Sequence, residues 1–302
     1  MQLTQENLKE RKTGIGGSDC AAALGQSKWS TPLDVYLDKI DPDSKQLEEN
    51  DAMRWGNILE PAVIKNYEDV AGVKVEQPNR IFRSEKYPWM LANVDGIVND
   101  NLILEAKTTK FYSDEWGDEG TDFIPAQYLF QVAHYCIVLN KAAADIAVLG
   151  ATSDFRIYHY ERNKHLDEQI IDGLHDFWHN NVLKQIPPDP VNSSDIIKLY
   201  RHADETKILI ADEPLSKLAY DHKHVKNQMS ELKSRQDFLE MEIKAAMKDH
   251  AFLVDLDGAQ LISWKDQVAN KFQQKDFKVK HQALYDQFCK ATESRVLRNK
   301  IK

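Results

Sequence analysis

Apolar and polar positions repeat along the first part of the chain with two different periods. Helical spacing, in which apolar residues recur every three or four positions, predicts helices in DAMRWGNILEPAVIKNYEDV, IPAQYLFQVAHYCIVLN and HLDEQIIDGLHDFWHNNVL. Alternating or short apolar runs between turn signals predict β-strands in RIFRSE, WMLANVDGIV, LILEAKTT, ADIAVLG and FRIYHYE. Helices and strands mixed in this order predict an α/β fold with a mixed β-sheet flanked by helices.

A glycine-rich loop and a two-faced helix are the clearest local features. The stretch GIGGSDCAAALGQS predicts a glycine loop, then a short helix that Ser18 or Asp19 caps and Gly25 closes. The second helix begins near Pro125. Its apolar positions are Leu129, Val132, Cys136 and Leu139, and the opposite face carries Gln127, Gln131 and His134.

The stretch KQIPPDPVNSSD is the best domain boundary in the chain. We therefore predict a first domain at 1–190, a linker at 191–213 and an appendage at 214–302. Steps of four and three residues form a heptad seam, which predicts a coiled-coil helix. The seam positions are Leu218, His222, Val225, Met229, Leu232, Gln236, Leu239, Ile243 and Ala246. A hairpin around Asp257 and Gly258 and a closing helix in DFKVKHQALYDQFCKATES complete the predicted appendage.

Composition narrows the class of protein. The chain has 302 residues, enough to bury a large core, and its three cysteines lie far apart with no CxxC pair. No apolar run approaches the roughly 20 residues of a membrane span, so we expect a soluble, cytoplasmic protein without a membrane partner. A net charge of -9 argues against a simple electrostatic DNA binder. A nuclease, however, needs carboxylates and can confine its basic residues to one groove.

The hairpin VDGIVNDNLILEAKTTK places charges where a core strand is expected. If the turn is centred on Asp100, Asp95 and Glu105 face each other across the strands, with Cβ atoms within about 5.5 Å. Lys107 projects on the same face as Glu105, because strand side chains have a period of two. Two carboxylates this close repel each other, and burying them unpaired costs several kcal/mol. A divalent cation removes that cost.

Oxygen ligands of this kind suit Mg²⁺ or Mn²⁺, which bind phosphate oxygens. A lysine beside the ion can orient a water or neutralise charge on phosphorus. The hairpin therefore indicates metal-assisted phosphodiester hydrolysis. From the hairpin alone, an exposed ion pair between Glu105 and Lys107 is an alternative interpretation.

Three blocks of sequence resemble the YqaJ-like viral recombinase family, which includes the phage lambda exonuclease. They are RKTGIGGSDCAAALGQSKWSTPLDVYLDKI with MRWGNILEPAV, then VD followed after nine residues by EAK, and then IPAQYLFQVAHYCIVLNKAAADIAVLG. The resemblance covers roughly residues 8 to 190. It implies a restriction-endonuclease-like core of the PD-(D/E)xK superfamily, with a C-terminal coiled-coil and hairpin appendage outside the minimal exonuclease.

The resemblance also implies roles for residues around the hairpin. Metal ligation falls on Asp95, Glu105 and the backbone carbonyl of Ala106, and water activation falls on Lys107. Glu60, in GNILEP, resembles the helical glutamate that completes the metal side of the site.

A second group of residues is implied to bind DNA. Gln131 and Tyr128 match a YxxQ helix that faces the hairpin, where the amide can hold the lysine or the attacking water. Arg11 and Ser18 match positions that bind a terminal 5′-phosphate. Asn93 stands where the lambda enzyme has a second phosphate-binding serine, so the preference for a 5′-phosphate is open.

The activity implied is that of a Mg²⁺-dependent exonuclease of phage-type recombination, with Mn²⁺ as a possible substitute. It would digest double-stranded DNA from an end, 5′ to 3′, releasing 5′-mononucleotides and leaving a 3′ single strand. The resemblance further implies a trimeric ring around DNA, a phage or prophage gene in a bacterial cytoplasm, and a single-strand annealing protein as a possible partner. The alternatives are a restriction-like or structure-specific endonuclease and a non-catalytic DNA-end-binding assembly module.

We interpret the remaining histidine and tryptophan candidates mainly as structural residues. His175 and His179 are spaced for a metal on a helix face, but no third ligand is near in sequence, and we interpret them as a surface pair. Trp29, Trp55 and Trp89 could stack on bases, although core packing is the interpretation we favour for most of them.

Overall fold

The computed structural model describes residues 9–41, 50–110, 112–151 and 154–301. The chain divides into two compact units, and the division falls between Lys198 and Leu199. The first unit contains all the predicted site residues. Residues 1–8 and 42–49 of the predicted first domain lie outside the described residues.

A four-stranded mixed sheet is the centre of the first unit. Its strands are β4 (Gly96–Asn99), β5 (Leu102–Thr109), β6 (Ala143–Gly150) and β7 (Phe155–Glu161). They lie in the order β4-β5-β6-β7. The β4–β5 and β6–β7 pairs are antiparallel, and β5 runs parallel to β6. The mixed α/β architecture predicted from the sequence is confirmed.

A second, smaller sheet contains β1 (Ile15–Gly16), β2 (Phe82–Arg83) and β3 (Met90–Ala92). Here β3 lies in the middle, parallel to β1 and antiparallel to β2. The prediction of one strand in WMLANVDGIV is wrong, because the chain leaves the small sheet after Ala92 and enters the central sheet at Gly96. Asp95 therefore lies at the crossing from one sheet to the other.

Helices pack on this framework, and their bounds follow. They are α1 (Gly17–Ala23), α2 (Pro32–Ile40), α3 (Asp51–Ala71), α4 (Ala126–Leu139), α5 (Lys164–Asp176) and α6 (Ser193–Leu199). Helix α3 packs Val63, Ile64 and Tyr67 against Leu104 of β5. Helix α4 packs on the other face of β5, so this strand lies between two helices.

Helix α4 is buried on more than its apolar face. Gln131 and His134, predicted for the opposite face, are 7% and 0% exposed. The imidazole Nε2 of His134 donates to the carbonyl of Leu91 at 2.9 Å. Burial lowers the pKa of His134 to about 4, so this ring is neutral at neutral pH.

The short helix α1 begins differently from the prediction. Its N-cap residue is Gly16, and Asp19 in the first turn accepts a hydrogen bond from the Gly16 amide at 3.3 Å. Ser18 is therefore not a cap, which leaves its hydroxyl available for another contact. Gly25 closes the helix with φ of 69°, as predicted.

Residues of the predicted linker belong in part to the first unit. Asp195 of α6 is fully buried and accepts a hydrogen bond from the Thr31 hydroxyl at 3.0 Å. Lys198 forms an ion pair with Asp34 at 2.5 Å. These contacts attach α6 to α2. A π-helical turn, Phe177–Val182, continues α5 before this segment.

The second unit contains a 35-residue helix, α7 (Glu213–Met247), followed by a hairpin of β8 (Phe252–Val254) and β9 (Gln260–Ser263). The predicted helix and hairpin are confirmed. The predicted closing helix is divided at His281 into α8 (Gln274–Lys280) and α9 (Gln282–Phe288), because His281 leaves the helical region with φ of -136°. Within the described ranges, no helix has the length and apolarity needed to cross a membrane.

Candidate active site

Strand β5 carries the centre of the candidate site. Glu105 is 2% exposed and points toward α4, where the Gln131 amide donates to its Oε1 at 2.7 Å. Lys107, two residues along the same face, donates to the same Oε1 at 2.6 Å. The alternative of an exposed ion pair is therefore wrong, because the carboxylate of Glu105 is buried in the unit.

Asp95 lies against the same strand. The hairpin register pairs Gly96 with Leu104, and one further step along it places Asp95 opposite Glu105 as predicted. Asp95 Oδ2 accepts a hydrogen bond from the Ala106 amide at 2.9 Å. In an extended strand the N–H and C=O of one residue point to the same edge, so the Ala106 carbonyl oxygen also lies on the Asp95 side.

The electrostatics of the pair are those of carboxylates held close together. Burial, followed by the charge of Glu105, raises the pKa of Asp95 well above its usual value, and Glu60 of α3 contributes in the same direction. Glu60 therefore influences Asp95 electrostatically, but among the described residues it does not join Asp95 and Glu105 in a group of acids that could hold a metal, so its place as a ligand stays a prediction. Burial lowers the pKa of Lys107, but the charges of Glu105 and Asp95 outweigh burial and raise it, so Lys107 is a cation.

One acceptor in this cluster has no partner. Glu105 Oε2 is buried and has no hydrogen bond within the described part of the chain. An unpaired buried carboxylate oxygen is costly unless a cation or donor reaches it. Oxygen donors from Asp95, Glu105 and the Ala106 carbonyl fit a hard divalent cation. Among the described residues, no three His, Cys, Asp or Glu side chains form a group that could hold a metal by themselves, so backbone or water oxygens would be needed.

Aromatic rings border Lys107. Its Nζ lies 5.1 Å from the centroid of the Tyr128 ring, which also contacts Trp116. Trp29 lies 6.0 Å from Tyr128 and is 68% exposed, and Trp55 is 55% exposed. The prediction that most of these tryptophans are core residues is wrong for Trp29 and Trp55.

A second cluster forms beside α1. Arg11 Nη2 donates to the Ser18 hydroxyl at 3.2 Å, which brings together two residues predicted to bind phosphate. Lys39, missed by the sequence analysis, donates to Asp19 at 2.7 Å and to the Arg11 carbonyl at 3.0 Å. Burial alone raises the pKa of Asp19, but Lys39 and Arg11 outweigh it and hold this pKa below its usual value. The Asp19 carboxylate thus anchors the segment that presents Arg11.

Asn93 is half-buried two residues before Asp95. Its side chain makes no hydrogen bond with any residue that the structure describes, so the structure does not join it to Arg11 and Ser18.

Tyr135 lies between the two clusters and was also missed. Its hydroxyl accepts a hydrogen bond from Gln131 at 2.9 Å. Burial, followed by the charges of Glu105 and Asp95, raises the pKa of Tyr135 well above its usual value, and Arg11 acts in the opposite direction. The ring packs so close to Gly17 that a Cβ at this position would lie 2.3 Å from a ring carbon. The signal in the sequence was the helical i, i+4 spacing from Gln131.

His175 at the end of α5 and His179 on the π-turn form a stacked pair, and within the described ranges they belong to no group of side chains that could hold a metal. Their rings are 4.1 Å apart, and Trp89 packs edge-on against both. His179 Nδ1 donates to the carbonyl of His175 at 2.9 Å. The interpretation of a surface pair is consistent with these contacts.

Comparisons with known proteins bear on the family and the fold. A family model described as YqaJ-like viral recombinase domain matches residues 6–143. The chain is 34% identical over 298 residues to the uncharacterized protein YqaJ of Bacillus subtilis (strain 168). The alignment covers 96% of this chain and 92% of that protein.

Solved structures with a similar fold include an alkaline exonuclease, LHK-Exo, from Laribacter hongkongensis. That structure is 17% identical, with a TM-score of 0.50, and the match covers 61% of this chain and 94% of the other. LHK-Exo in complex with dAMP matches with a TM-score of 0.51 at the same identity and coverage. At this identity the likeness shows a shared fold.

Proposed function

The chain belongs to the YqaJ-like viral recombinase family, and from that premise we propose that it is a metal-dependent deoxyribonuclease of phage-type recombination. We propose digestion of double-stranded DNA from an end, 5′ to 3′, with release of 5′-mononucleotides and a 3′ single strand left behind. The fold shared with an alkaline exonuclease agrees with this proposal.

The buried carboxylate cluster is the observation that carries it. Glu105 is buried with one unpartnered oxygen, and Asp95 lies close enough for the two charges to interact. A structural ion pair needs one cation for one anion, whereas two carboxylates, Asp95 and Glu105, here interact with one ammonium, Lys107, among the described residues. The arrangement is therefore suited to a further cation with hard oxygen ligands, for which we propose Mg²⁺, with Mn²⁺ as a substitute.

In the proposed mechanism, Asp95, Glu105 and the Ala106 carbonyl would hold the ion, and Glu60 would assist them. When bound, the ion supplies positive charge beside the scissile phosphate. Lys107, fixed by its bond to Glu105, donates to the attacking water or to a phosphate oxygen.

The helix α4 keeps this arrangement in place. Gln131 fixes the Glu105 rotamer through its amide, and the ring of Tyr128 limits where the Lys107 ammonium can lie. These two side chains therefore act through Glu105 and Lys107.

We propose that Arg11 and Ser18 bind the terminal 5′-phosphate. The guanidinium and the hydroxyl already share a hydrogen bond, and a phosphate oxygen can replace that contact with charge-assisted bonds. Asn93, although not joined to them, can contribute an amide donor when DNA enters.

Digestion of three substrates with Mg²⁺ tests the proposal. They are linear duplex with a 5′-phosphate, the same duplex with a 5′-hydroxyl, and closed circular plasmid, each with a parallel reaction in chelator. We expect mononucleotides from the phosphorylated linear strand, slower digestion of the hydroxyl end, an intact circle, and no product in chelator. Cleavage of the circle would contradict the end-dependent activity, and undiminished digestion in chelator would contradict the metal site.

We also propose that copies of the chain assemble, as a trimeric ring with double-stranded DNA ends as its substrate. A net charge of -9 is compatible with DNA binding when basic residues line one passage. Five apolar positions of the α7 seam are 47–69% exposed in a single chain: Leu218, Val225, Met229, Leu232 and Leu239. Such a seam supports contact with another copy or with an annealing protein. Light scattering of the purified protein gives the mass directly, and a monomer at all concentrations would contradict assembly.

A further inference from the structure

Charge is distributed very unevenly along the chain. Residues 265–302, here called the basic segment, contain ten Lys and Arg against four Asp and Glu, a net charge of +6. The preceding 264 residues contain 29 against 44 and carry -15. Such asymmetry between parts of one chain is typical of a segment that binds a polyanion.

The positive charges of the basic segment have no acidic partner among the described residues, although Arg295 donates to the Tyr200 carbonyl and Lys265 lies over the Phe252 ring. Among its described residues, no Lys or Arg forms an ion pair with an acid; these residues are Lys265, Lys271, Lys275, Lys278, Lys280, Lys290, Arg295, Arg298 and Lys300. The ion pair described for this segment is instead that of its Glu293 with His202, at 3.5 Å. In the first unit, by contrast, Lys39, Lys107 and Arg162 contact carboxylates directly.

Aromatic rings are interleaved with these lysines. A cavity of about 390 Å³ is lined by Phe272, Gln274, Phe277, Leu284, Tyr285, Phe288 and Cys289. Its size falls within the range of small-ligand sites. Phe272 and Phe288 are 70% and 77% exposed, which is unusual for phenylalanine unless the rings meet a partner.

The walls of this cavity are almost entirely apolar. Phe277 packs on Phe272 with centroids 4.9 Å apart, and Lys278 lies 5.1 Å from the Tyr285 centroid. The Gln274 amide donates to the Tyr285 hydroxyl at 3.0 Å. Flat apolar walls beside the Lys278 ammonium, in a segment of net positive charge, suit the face of a nucleobase joined to phosphates.

We propose that the basic segment binds single-stranded DNA, with one base in the aromatic cavity and the neighbouring phosphates on its lysines. A base within a duplex is stacked and paired, so an aromatic cavity selects an unpaired base. This inference rests on the proposed function in one respect, the choice of DNA as the polyanion. The proposed nuclease digests one strand of a duplex, and the remaining strand is the single-stranded DNA that the segment would bind.

Binding of a fluorescent single-stranded oligonucleotide, followed by anisotropy, tests the proposal on the full-length protein in chelator. Phe288→Leu keeps an apolar side chain but removes the ring, and we expect binding about tenfold weaker. Phe288→Trp keeps a ring and serves as the matched control, with binding within about twofold of the unmodified protein. Equal affinity of all three proteins would overturn the role of the cavity.

The charge contribution is tested with a triple variant, Lys271→Gln, Lys275→Gln and Lys278→Gln. We expect the dependence of log K on log salt to become shallower by about 2, because about 0.7 counterions are released per neutralised phosphate of a single strand. The matched control is Lys217→Gln, Lys223→Gln and Lys226→Gln on α7, which removes the same charge outside the basic segment and should leave the slope unchanged.

Two other results would overturn the proposal. One is a preference for duplex over single-stranded DNA that stays the same in all of these variants. The other is binding to vesicles of anionic lipid with no binding to the oligonucleotide, which would make the segment a membrane contact. Because binding is read in chelator, a failure of nuclease activity leaves this test intact, and lost oligonucleotide binding leaves the three-substrate test intact.

Discussion

Charged side chains have different surroundings in the first unit and in the basic segment. In the first unit, buried or half-buried ionic groups such as Asp195 and Asp19 are held by two or more donors from different elements. In the basic segment, exposed lysines and arginines have no acidic partner among the described residues. A buried charge without a partner would destabilise the fold, whereas an exposed one costs almost nothing.

This difference tells us where function can be recognised. In the first unit the exceptions are informative: the Glu105 oxygen without a hydrogen-bond partner among the described residues supports the proposed cation. Asp167 also has an unpartnered oxygen, but its other oxygen pairs with Arg162 and no second carboxylate is in contact with it. In the basic segment a single exposed lysine or arginine does not indicate a ligand. The net positive charge of the segment, together with its exposed aromatic rings, does.

The largest expected effect is that of Asp95→Asn. The substitution keeps the shape and removes the charge that the ion needs, so we expect digestion of linear duplex to fall about a thousandfold. Initial rates of nucleotide release measure this. Asp100→Asn, in the exposed turn of the same hairpin, is the control and should keep the full rate. Oligonucleotide binding by the basic segment should be the same in both.

Packing gives a direct contrast between the units. Leu104→Ala removes a side chain that is 0% exposed and should lower the free energy of unfolding by about 3 kcal/mol. Leu232→Ala removes one that is 69% exposed and should change it by less than about 0.5 kcal/mol. Denaturant unfolding of both variants measures this. A large effect of Leu232→Ala would mean that another copy covers the α7 seam in solution.

Lys107→Ala separates chemistry from metal binding. Lys107 is not an ion ligand in the proposed mechanism, so Mg²⁺ affinity by calorimetry should remain close to that of the unmodified protein. Turnover should fall about a hundredfold, because the positioned donor is lost. Collapse of Mg²⁺ affinity would show that the role assigned to Lys107 is wrong.

Stability should depend on pH through His134. Its folded pKa of about 4 lies below the unfolded value of about 6.5, so its contribution is present above pH 6.5 and is lost as the pH falls toward 4. The expected loss between pH 7 and pH 5 is about 2 kcal/mol. Asp95, with a raised pKa, acts with the opposite sign. The difference between the unmodified protein and His134→Gln isolates the histidine, and a difference that does not vary with pH would contradict this prediction.

The smallest effect expected is on the choice of DNA end. Arg11→Ala should reduce the ratio of rates on 5′-phosphate and 5′-hydroxyl ends by about tenfold, because one charge-assisted contact is lost. The control is Arg54→Ala, which removes an exposed guanidinium from α3. An unchanged ratio would remove Arg11 from the phosphate site.

The sequence predicted the central hairpin and the helix α4 because their periodicity is local. The alternation in LILEAKTT and the turn at NDN are enough to place Asp95, Glu105 and Lys107 together. The place of Glu60 and the pairing of Arg11 with Ser18 came from the family resemblance, since neither follows from periodicity.

The misses have physical reasons. WMLANVDGIV is apolar enough for one strand, but which of two sheets a strand joins is a tertiary choice. Lys39 and Tyr135 were missed because a buried lysine or tyrosine is recognised only from its partners. The basic segment was overlooked because charge was counted for the whole chain, where the acidic first unit hides it.

The contact between Gly17 and Tyr135 has a consequence for evolution. The tyrosine ring occupies the volume that any side chain at position 17 would need. The two positions are therefore not free to vary independently: a relative that acquires a side chain at the first should carry a smaller residue at the second. Gln131 donates to both the Tyr135 hydroxyl and the Glu105 carboxylate. Such an exchange would therefore change the support of Glu105, and we expect variation at this pair of positions to be restrained.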